Sequence, residues 1–257
     1  MKVTILGSGS AYGVPYFGGN WGKCDAMNPK NRRSTASILI EDSDTRVLVD
    51  MGYDLLRQSE KHNIRLLDGV IFTHTHADHI IGNFHVPIMM EYYQDRDLPF
   101  YTDAFTRAGI EKMWWFQYNP EAMANFYGPG RPVWNEFKAF DRLKIGSMEI
   151  ETIPQEHGSM TSYGLRIGNF CYSTDLSSIP TESFQRLTGL DIWVVECDSL
   201  LPSESHSHLE KTLEWIAQVK PKQAYLTHLD HTIDYEKISA ILPDNVALAY
   251  DDQIIVL

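Results

Sequence analysis

The chain alternates between short apolar blocks and stretches with helical spacing. Val3 to Leu6, Ala36 to Ile40, Thr45 to Val49, Val70 to Phe72 and Pro99 to Thr102 are brief apolar runs rich in β-branched residues, the mark of buried strands. The second and third of these face each other across Glu41-Asp42-Ser43-Asp44 as a hairpin. Asp54 to Asn63 reads as a helix with Leu55, Leu56 and Ser59 on one face, and another helix runs through Ile80, Ile81 and Phe84 until Pro87 stops it. The second half repeats the texture. Phe137 to Phe140, Leu143 to Ile145, Met148 to Ile153, Ser162 to Ile167, Asn169 to Tyr172, Ile192 to Glu196 and Ala224 to Leu226 read as strands. Helices fall near Glu182 to Leu187, over Leu209, Leu213, Ile216 and Ala217, and from Asp234 to Leu242, and two short strands close the chain. Strands interleaved with helices predict an α/β fold, and with no internal repeat or low-complexity linker the simplest organisation is a single domain over 1–257.

One stretch breaks the rhythm. From about 103 to 137 the chain is crowded with aromatics and turn formers, including Trp114-Trp115-Phe116, Phe126-Tyr127-Gly128-Pro129 and Trp134. It reads either as an inserted lid or arm that contacts a second copy of the chain, or as ordinary core packing.

Composition narrows the function. A formal charge of −12 over 257 residues gives no broad electrostatic grip on phosphate backbones, so nucleic acid is not the expected partner. The three cysteines, Cys24, Cys171 and Cys197, are odd in number and far apart, which is no disulfide framework and suits a reducing, cytoplasmic setting. The first apolar run is too short for a secretory signal, and no stretch has the length of a membrane span, so no membrane role is expected.

The candidate chemistry sits at strand exits. Thr73-His74-Thr75-His76-Ala77-Asp78-His79 follows the apolar Val70-Ile71-Phe72. Residues two apart on an extended segment point the same way, so His74 and His76 can hold one metal ion, while Asp78 and His79 in the first helical turn can face a second. An all-His/Asp set at a strand end suits a catalytic site better than a closed structural zinc. Three more strand exits deliver the same residue types: His157 before Gly158, Asp175 after Tyr172-Ser173-Thr174, and His228 after Thr227. Strand ends along one edge of a sheet converge, which is where α/β folds place their chemistry. Asp50 ends another strand, as a turn cap or as a carboxylate that holds a metal-binding histidine from behind. Gly7-Ser8-Gly9-Ser10-Ala11-Tyr12-Gly13-Val14-Pro15 lacks the glycine spacing of a dinucleotide loop and the lysine of a P-loop. It is either a plain turn or a loop that offers backbone N–H groups to the site.

These motifs, in this order, make the chain resemble the metallo-β-lactamase superfold. The resemblance implies an αββα sandwich with two divalent metal ions, zinc or manganese, bridged by one hydroxide. By position, one ion takes His74, His76 and His157, the other takes Asp78, His79 and His228, and Asp175 bridges both. Within the superfold, Leu6 to Pro15, the histidine loop, Asp198 with His206-Ser207-His208-Leu209, and Thr227-His228-Leu229-Asp230-His231 resemble the cyclic phosphodiesterase of the carbon–phosphorus lyase pathway and its relatives. That resemblance implies a phosphodiesterase opening a small cyclic or linear phosphodiester, with Asp78 and His206 as catalytic side chains. His208 rivals His206, and His231 is a candidate for phosphate contact or for support behind the ligands. The family often carries a cysteine-rich structural zinc near residues 20–30. Here Cys24 stands alone, so that zinc is not expected. A tRNA 3′-end processing nuclease and a lactonase or thioesterase on the same fold are the alternatives.

Overall fold

In the computed structural model the described residues are 1–119 and 130–257. Two seven-stranded sheets lie face to face. The first has the order β14-β1-β2-β3-β4-β5-β6 and the second β13-β12-β11-β10-β9-β8-β7. Their strands are β1 (Lys2–Gly7), β2 (Ser37–Asp42), β3 (Thr45–Val49), β4 (Gly69–Ile71), β5 (Leu98–Thr102), β6 (Pro132–Glu136), β7 (Arg142–Ile145), β8 (Met148–His157), β9 (Met160–Ile167), β10 (Phe170–Ser173), β11 (Ile192–Glu196), β12 (Gln223–Thr227), β13 (Val246–Leu248) and β14 (Ile254–Val256).

Period-two alternation explains the layers. Val3, Ile5, Ile38, Ile40, Val47, Val49 and Ile71 point inward and meet Ile150, Leu165, Phe170, Tyr172 and Val194 from the other sheet. The intervening Leu39, Leu48, Val70 and Phe72 point outward under the helices Leu55–Lys61, Val86–Tyr92 and Ala104–Met113. On the far side Cys171, Trp193, Val195 and Leu226 pack against Trp215 and Ile216 of the helix Leu209–Val219. The result is the αββα sandwich.

Strand direction places the chemistry. β3 pairs parallel with β4, and β10, β11 and β12 pair parallel in turn. β8 is antiparallel to β9, which is antiparallel to β10, so β8 runs the same way as β10. The carboxyl ends of β3 and β4 therefore face those of β8, β10, β11 and β12 along one rim.

Several elements differ from the sequence expectation. Pro87 does not end the helix after the histidine loop. That helix stops at Ile80, a 3₁₀ stretch covers Ile81–His85, and Pro87 lies in the first turn of a new helix, Val86–Tyr92. Proline lacks an N–H that a first turn does not need. No strand forms over Phe137 to Phe140; the strand is Pro132–Glu136, paired parallel with β5, where the edge position tolerates a proline. The described part of 103–137 thus holds two helices, Ala104–Met113 and Trp115–Tyr118, and an edge strand, and Trp134 packs on Phe72 and Phe100. Phe126 to Pro129 lies outside the described residues. Among the described residues, no helix is long and apolar enough to cross a membrane.

Candidate metal centre

The seven residues picked from strand exits meet in one place. His74, His76, His157 and Asp175 form one group and Asp78, His79, Asp175 and His228 a second, with the ligand atoms in each group within 4.8 Å of one another. Asp175 belongs to both. Its Oδ1 lies 3.7 Å from His74 Nε2, 3.8 Å from His157 Nε2 and 3.4 Å from His228 Nε2, and its Oδ2 lies 3.1 Å from His79 Nε2. Asp78 Oδ2 lies 3.0 Å from His79 Nε2 and 3.7 Å from His228 Nε2.

The backbone aims these side chains by leaving the strands abruptly. Asp50, Asp175 and His228 adopt φ of 63°, 54° and 58°. The left-handed region costs a non-glycine residue about 1–3 kcal/mol, a strain that persists where the surroundings over-determine it. Here it turns each side chain sharply at the rim. Close approach needs a glycine beside the histidine loop: a Cβ on Gly52 would stand 2.2 Å from the Asp78 carbonyl oxygen.

The imidazoles are oriented from behind. His79 Nδ1 donates to Asp50 Oδ2 at 2.7 Å, and His157 Nδ1 donates to the Ser205 carbonyl at 2.6 Å. Thr73 Oγ1 donates to Asp50 Oδ2 at 2.8 Å and can accept from His74 Nδ1 at 3.1 Å. His228 Nδ1 lies 3.3 Å from Glu196 Oε1 and 3.6 Å from Asp198 Oδ1. In His79, His157 and His74 Nδ1 faces a hydrogen-bonding protein acceptor and Nε2 faces the cluster, the arrangement that fixes a ligand tautomer, while His228 Nδ1 lies close to two carboxylates without a hydrogen bond. Asp50, fully buried, is thus the carboxylate behind His79 and also accepts the Thr73 amide at 2.8 Å.

The electrostatics ask for a cation. Burial works against the charge of Asp175, but the rings of His228, His79 and His74 outweigh it and hold the carboxyl well below the usual range. Burial likewise opposes a charge on His79, yet Asp175, Asp78 and Asp50 raise its pKa well above the ordinary value. His74, His76 and His157 are pushed down, first by burial. Meanwhile His74 Nε2, Asp78 Oδ2, His79 Nε2 and His228 Nε2 are buried with no hydrogen-bond partner. Buried polar atoms are ordinarily satisfied. Divalent cations fit here: they would supply the missing partner to each atom and the positive charge the carboxylates demand.

A third group joins Asp175 and His228 to Glu196 and His206. Glu196, fully buried at the end of β11, accepts from His206 Nδ1 at 2.5 Å and from the Leu176 amide at 2.7 Å. Sequence reasoning passed over Glu196. The available signal was a carboxylate ending the apolar run Ile192-Trp193-Val194-Val195, as Asp50 ends its own. His206 stacks on His228, with ring centres 5.1 Å apart, and meets His157 edge-on at 4.7 Å. Burial opposes its charge, and Glu196 overrides that and raises its pKa. His208 stands at the N-cap of the helix Leu209–Val219 and belongs to none of the three groups. His231 lies outside them as well, its ring stacked on Tyr16 at 4.0 Å.

The glycine loop serves the site through its fold. Ser10 N donates to the Leu229 carbonyl and Leu229 N to the Ser8 carbonyl, at 3.1 and 2.8 Å, which pins the exit of β12 beside His228. The amides of Ser8, Gly9, Gly13 and Val14 are also spent within the protein, on Asp251, Ser34, Ser10 and Arg33. At the cysteine-poor loop, Cys24 Sγ sits against the His231 and Ile233 carbonyls and Arg33, with no second thiol beside it.

The family described as a beta-lactamase superfamily domain matches residues 45–229. The chain belongs to the beta-lactamase superfamily. Among solved structures, a diphosphatase from the PhnP family superposes with a TM-score of 0.91 and 27% identity, covering 100% of this chain and 97% of that one. Zinc-bound PqqB from Methylobacterium extorquens gives a TM-score of 0.77 at 14% identity, covering 100% of both chains, a likeness of fold alone. An octanoyltransferase of Porphyromonas gingivalis (strain ATCC BAA-308 / W83) is 26% identical over 258 residues, which take in 98% of this chain and 50% of that protein. The chain therefore spans about half the length of this curated relative.

Proposed function

We propose that the protein is a dinuclear metal-dependent phosphodiesterase acting on a small cyclic or linear phosphodiester. The observation that carries this reading is Asp175, shared by two groups of ligand atoms whose inward-facing nitrogens and oxygens are buried without partners. One divalent ion would be held by His74, His76 and His157, the other by Asp78, His79 and His228, with Asp175 between them. Bound there, two such ions lower the pKa of water and neutralise charge on phosphoryl oxygens. Oxygen and nitrogen ligands without thiolate suit zinc or manganese.

The chain's own contribution is proton control and orientation. Glu196 accepts from Nδ1 of His206, so this ring keeps its proton and its other nitrogen is the one to donate to a leaving oxygen. Asp50 and the Ser205 carbonyl keep His79 and His157 in the tautomer that faces inward. His76 is exposed while its partners are buried, and it opens onto a cleft of about 630 Å³ with His157, Ser159, Glu204 and Ser205. The substrate enters by that face. The similarity to a diphosphatase of the PhnP family supports phosphorus chemistry over the lactonase or thioesterase alternative, and the acidic composition disfavours a nuclease.

The test is metal analysis with an ester panel. Purified protein is expected to hold about two divalent ions per chain and to hydrolyse bis(p-nitrophenyl) phosphate. His76→Ala should lose one ion and the activity. Protein handled without chelators that contains no metal, or that cleaves lactones and thioesters but no phosphodiester, would overturn the reading.

A further inference from the structure

The mouth of the site has two unlike sides. Toward His157 it is polar, as described. The loops packed beside Asp78 and His228 carry tyrosines that the chemistry does not use. Tyr12 and Tyr53 are 75% and 54% exposed, far more than their positions beside a buried centre require. Both are anchored by rigid backbone. Tyr12 lies in the turn closed by Gly13 N to the Ser10 carbonyl at 2.8 Å, within the loop bonded to Leu229, the residue after His228. Tyr53 follows Gly52, whose Cα lies against the Asp78 carbonyl oxygen so closely that no Cβ would fit. Tyr16 stands edge-on to Tyr12 with ring centres 5.6 Å apart. Tyr16 is stacked on His231, which Gly22 clamps from close range. Burial raises the pKa of the Tyr53 phenol, and the Asp78 carboxylate and Tyr12 add to that rise.

Tyr12 and Tyr53, both exposed, thus stand as a wall on the two loops that border Asp78 and His228, and Tyr16 backs Tyr12 from its stack on His231. Exposed aromatic faces held rigid beside a phosphoryl site are suited to stacking a planar ring at little entropic cost. We infer that Tyr12 and Tyr53 form a subsite for a planar aromatic substituent of the phosphodiester, such as a nucleobase. The polar cleft at His157 then takes the other substituent. This subsite rests on the phosphodiesterase reading, and it separates a nucleoside-bearing substrate from a bare ribosyl cyclic phosphate, which has no ring to stack.

Thymidine 5′-(p-nitrophenyl phosphate) and methyl p-nitrophenyl phosphate share one leaving group and differ in the substituent that would occupy the wall. Stacking of one base contributes about 1–3 kcal/mol, so the metal-loaded protein should favour the thymidine ester by roughly 5- to 150-fold in kcat/KM. Tyr12→Ala and Tyr53→Ala should collapse that ratio, mainly through KM, whereas Tyr12→Phe and Tyr53→Phe should preserve it. A ratio near one in the unmodified protein, or one that the alanine variants leave intact, overturns the subsite. Binding of thymidine 5′-phosphate against inorganic phosphate, followed by calorimetry, gives a readout independent of turnover. If neither ester is cleaved but the alanine variants weaken the nucleotide by the same factor, the subsite stands and the phosphodiesterase reading fails. If the variants do not weaken it, the subsite fails.

Discussion

Asp50→Asn isolates what a carboxylate behind a ligand is worth. The native group is fully buried and accepts three hydrogen bonds: from Thr73 N and Thr73 Oγ1 at 2.8 Å each, and from His79 Nδ1 at 2.7 Å. Asparagine matches its shape and, like aspartate, tolerates the left-handed backbone here, so strain does not confound the change. Its one carbonyl oxygen cannot serve both sides of the original carboxylate. Whichever way the amide turns, its NH₂ faces either the Thr73 amide or the His79 Nδ1–H. The loss is one charge-assisted hydrogen bond, about 1.5–3 kcal/mol. Read as metal affinity at the His79 group, that is roughly a 10- to 150-fold weakening, in line with the effect of altering groups behind metal ligands. Competition with a chromophoric chelator for zinc and for manganese measures it. One of two binding steps should weaken, while the His74/His76/His157 step holds. Two steps each within about twofold of the unmodified protein would refute the reasoning.

Other outcomes follow from the same geometry. His206→Gln should lower turnover by about 10²–10⁴-fold with both metals retained, whereas His208→Gln should keep most of it; the reverse pattern would move the proton donor to His208. Gly52→Ala places a methyl 2.2 Å from the Asp78 carbonyl and 2.3 Å from Thr35 Oγ1, and should cost about 1–3 kcal/mol in urea unfolding together with metal affinity. Burial raises the Asp251 pKa to about 6 against the amides and hydroxyl of Ser8 and Ser34 that it accepts. A carboxyl raised in the folded state binds its proton more tightly when folded, so its contribution to stability is greatest below about pH 4, falls as pH climbs to about 6, and is level above that. The difference between unmodified protein and Asp251→Asn, followed by urea unfolding from pH 4 to 7, should show that slope; parallel curves would contradict it.

The residues that meet in the candidate site were legible in the sequence because they are chemically rare where they stand. A histidine or aspartate at the exit of an apolar strand has few other uses, and His74, His76, Asp78, His79, His157, Asp175 and His228 all occupy such exits. The alternation of inward Ile38 and Ile40 with outward Leu39 was equally plain, since a strand's side-chain period is local. What the sequence left open depends on contacts between distant segments. Glu196 became part of the site because β11 and the turn carrying His206 return to the same point, and His206 meets Glu196 while His208 stands at the N-cap of the helix Leu209–Val219, a difference that the spacing of the two histidines does not show. Asp50 turned from a strand-end carboxylate into the partner of His79 only when β3 and β4 paired in parallel and brought both exits to one rim. Residue chemistry named the candidate ligands; the direction of six strands decided which atoms stand behind them, since a hydrogen bond is set by position in space and not by spacing along the chain.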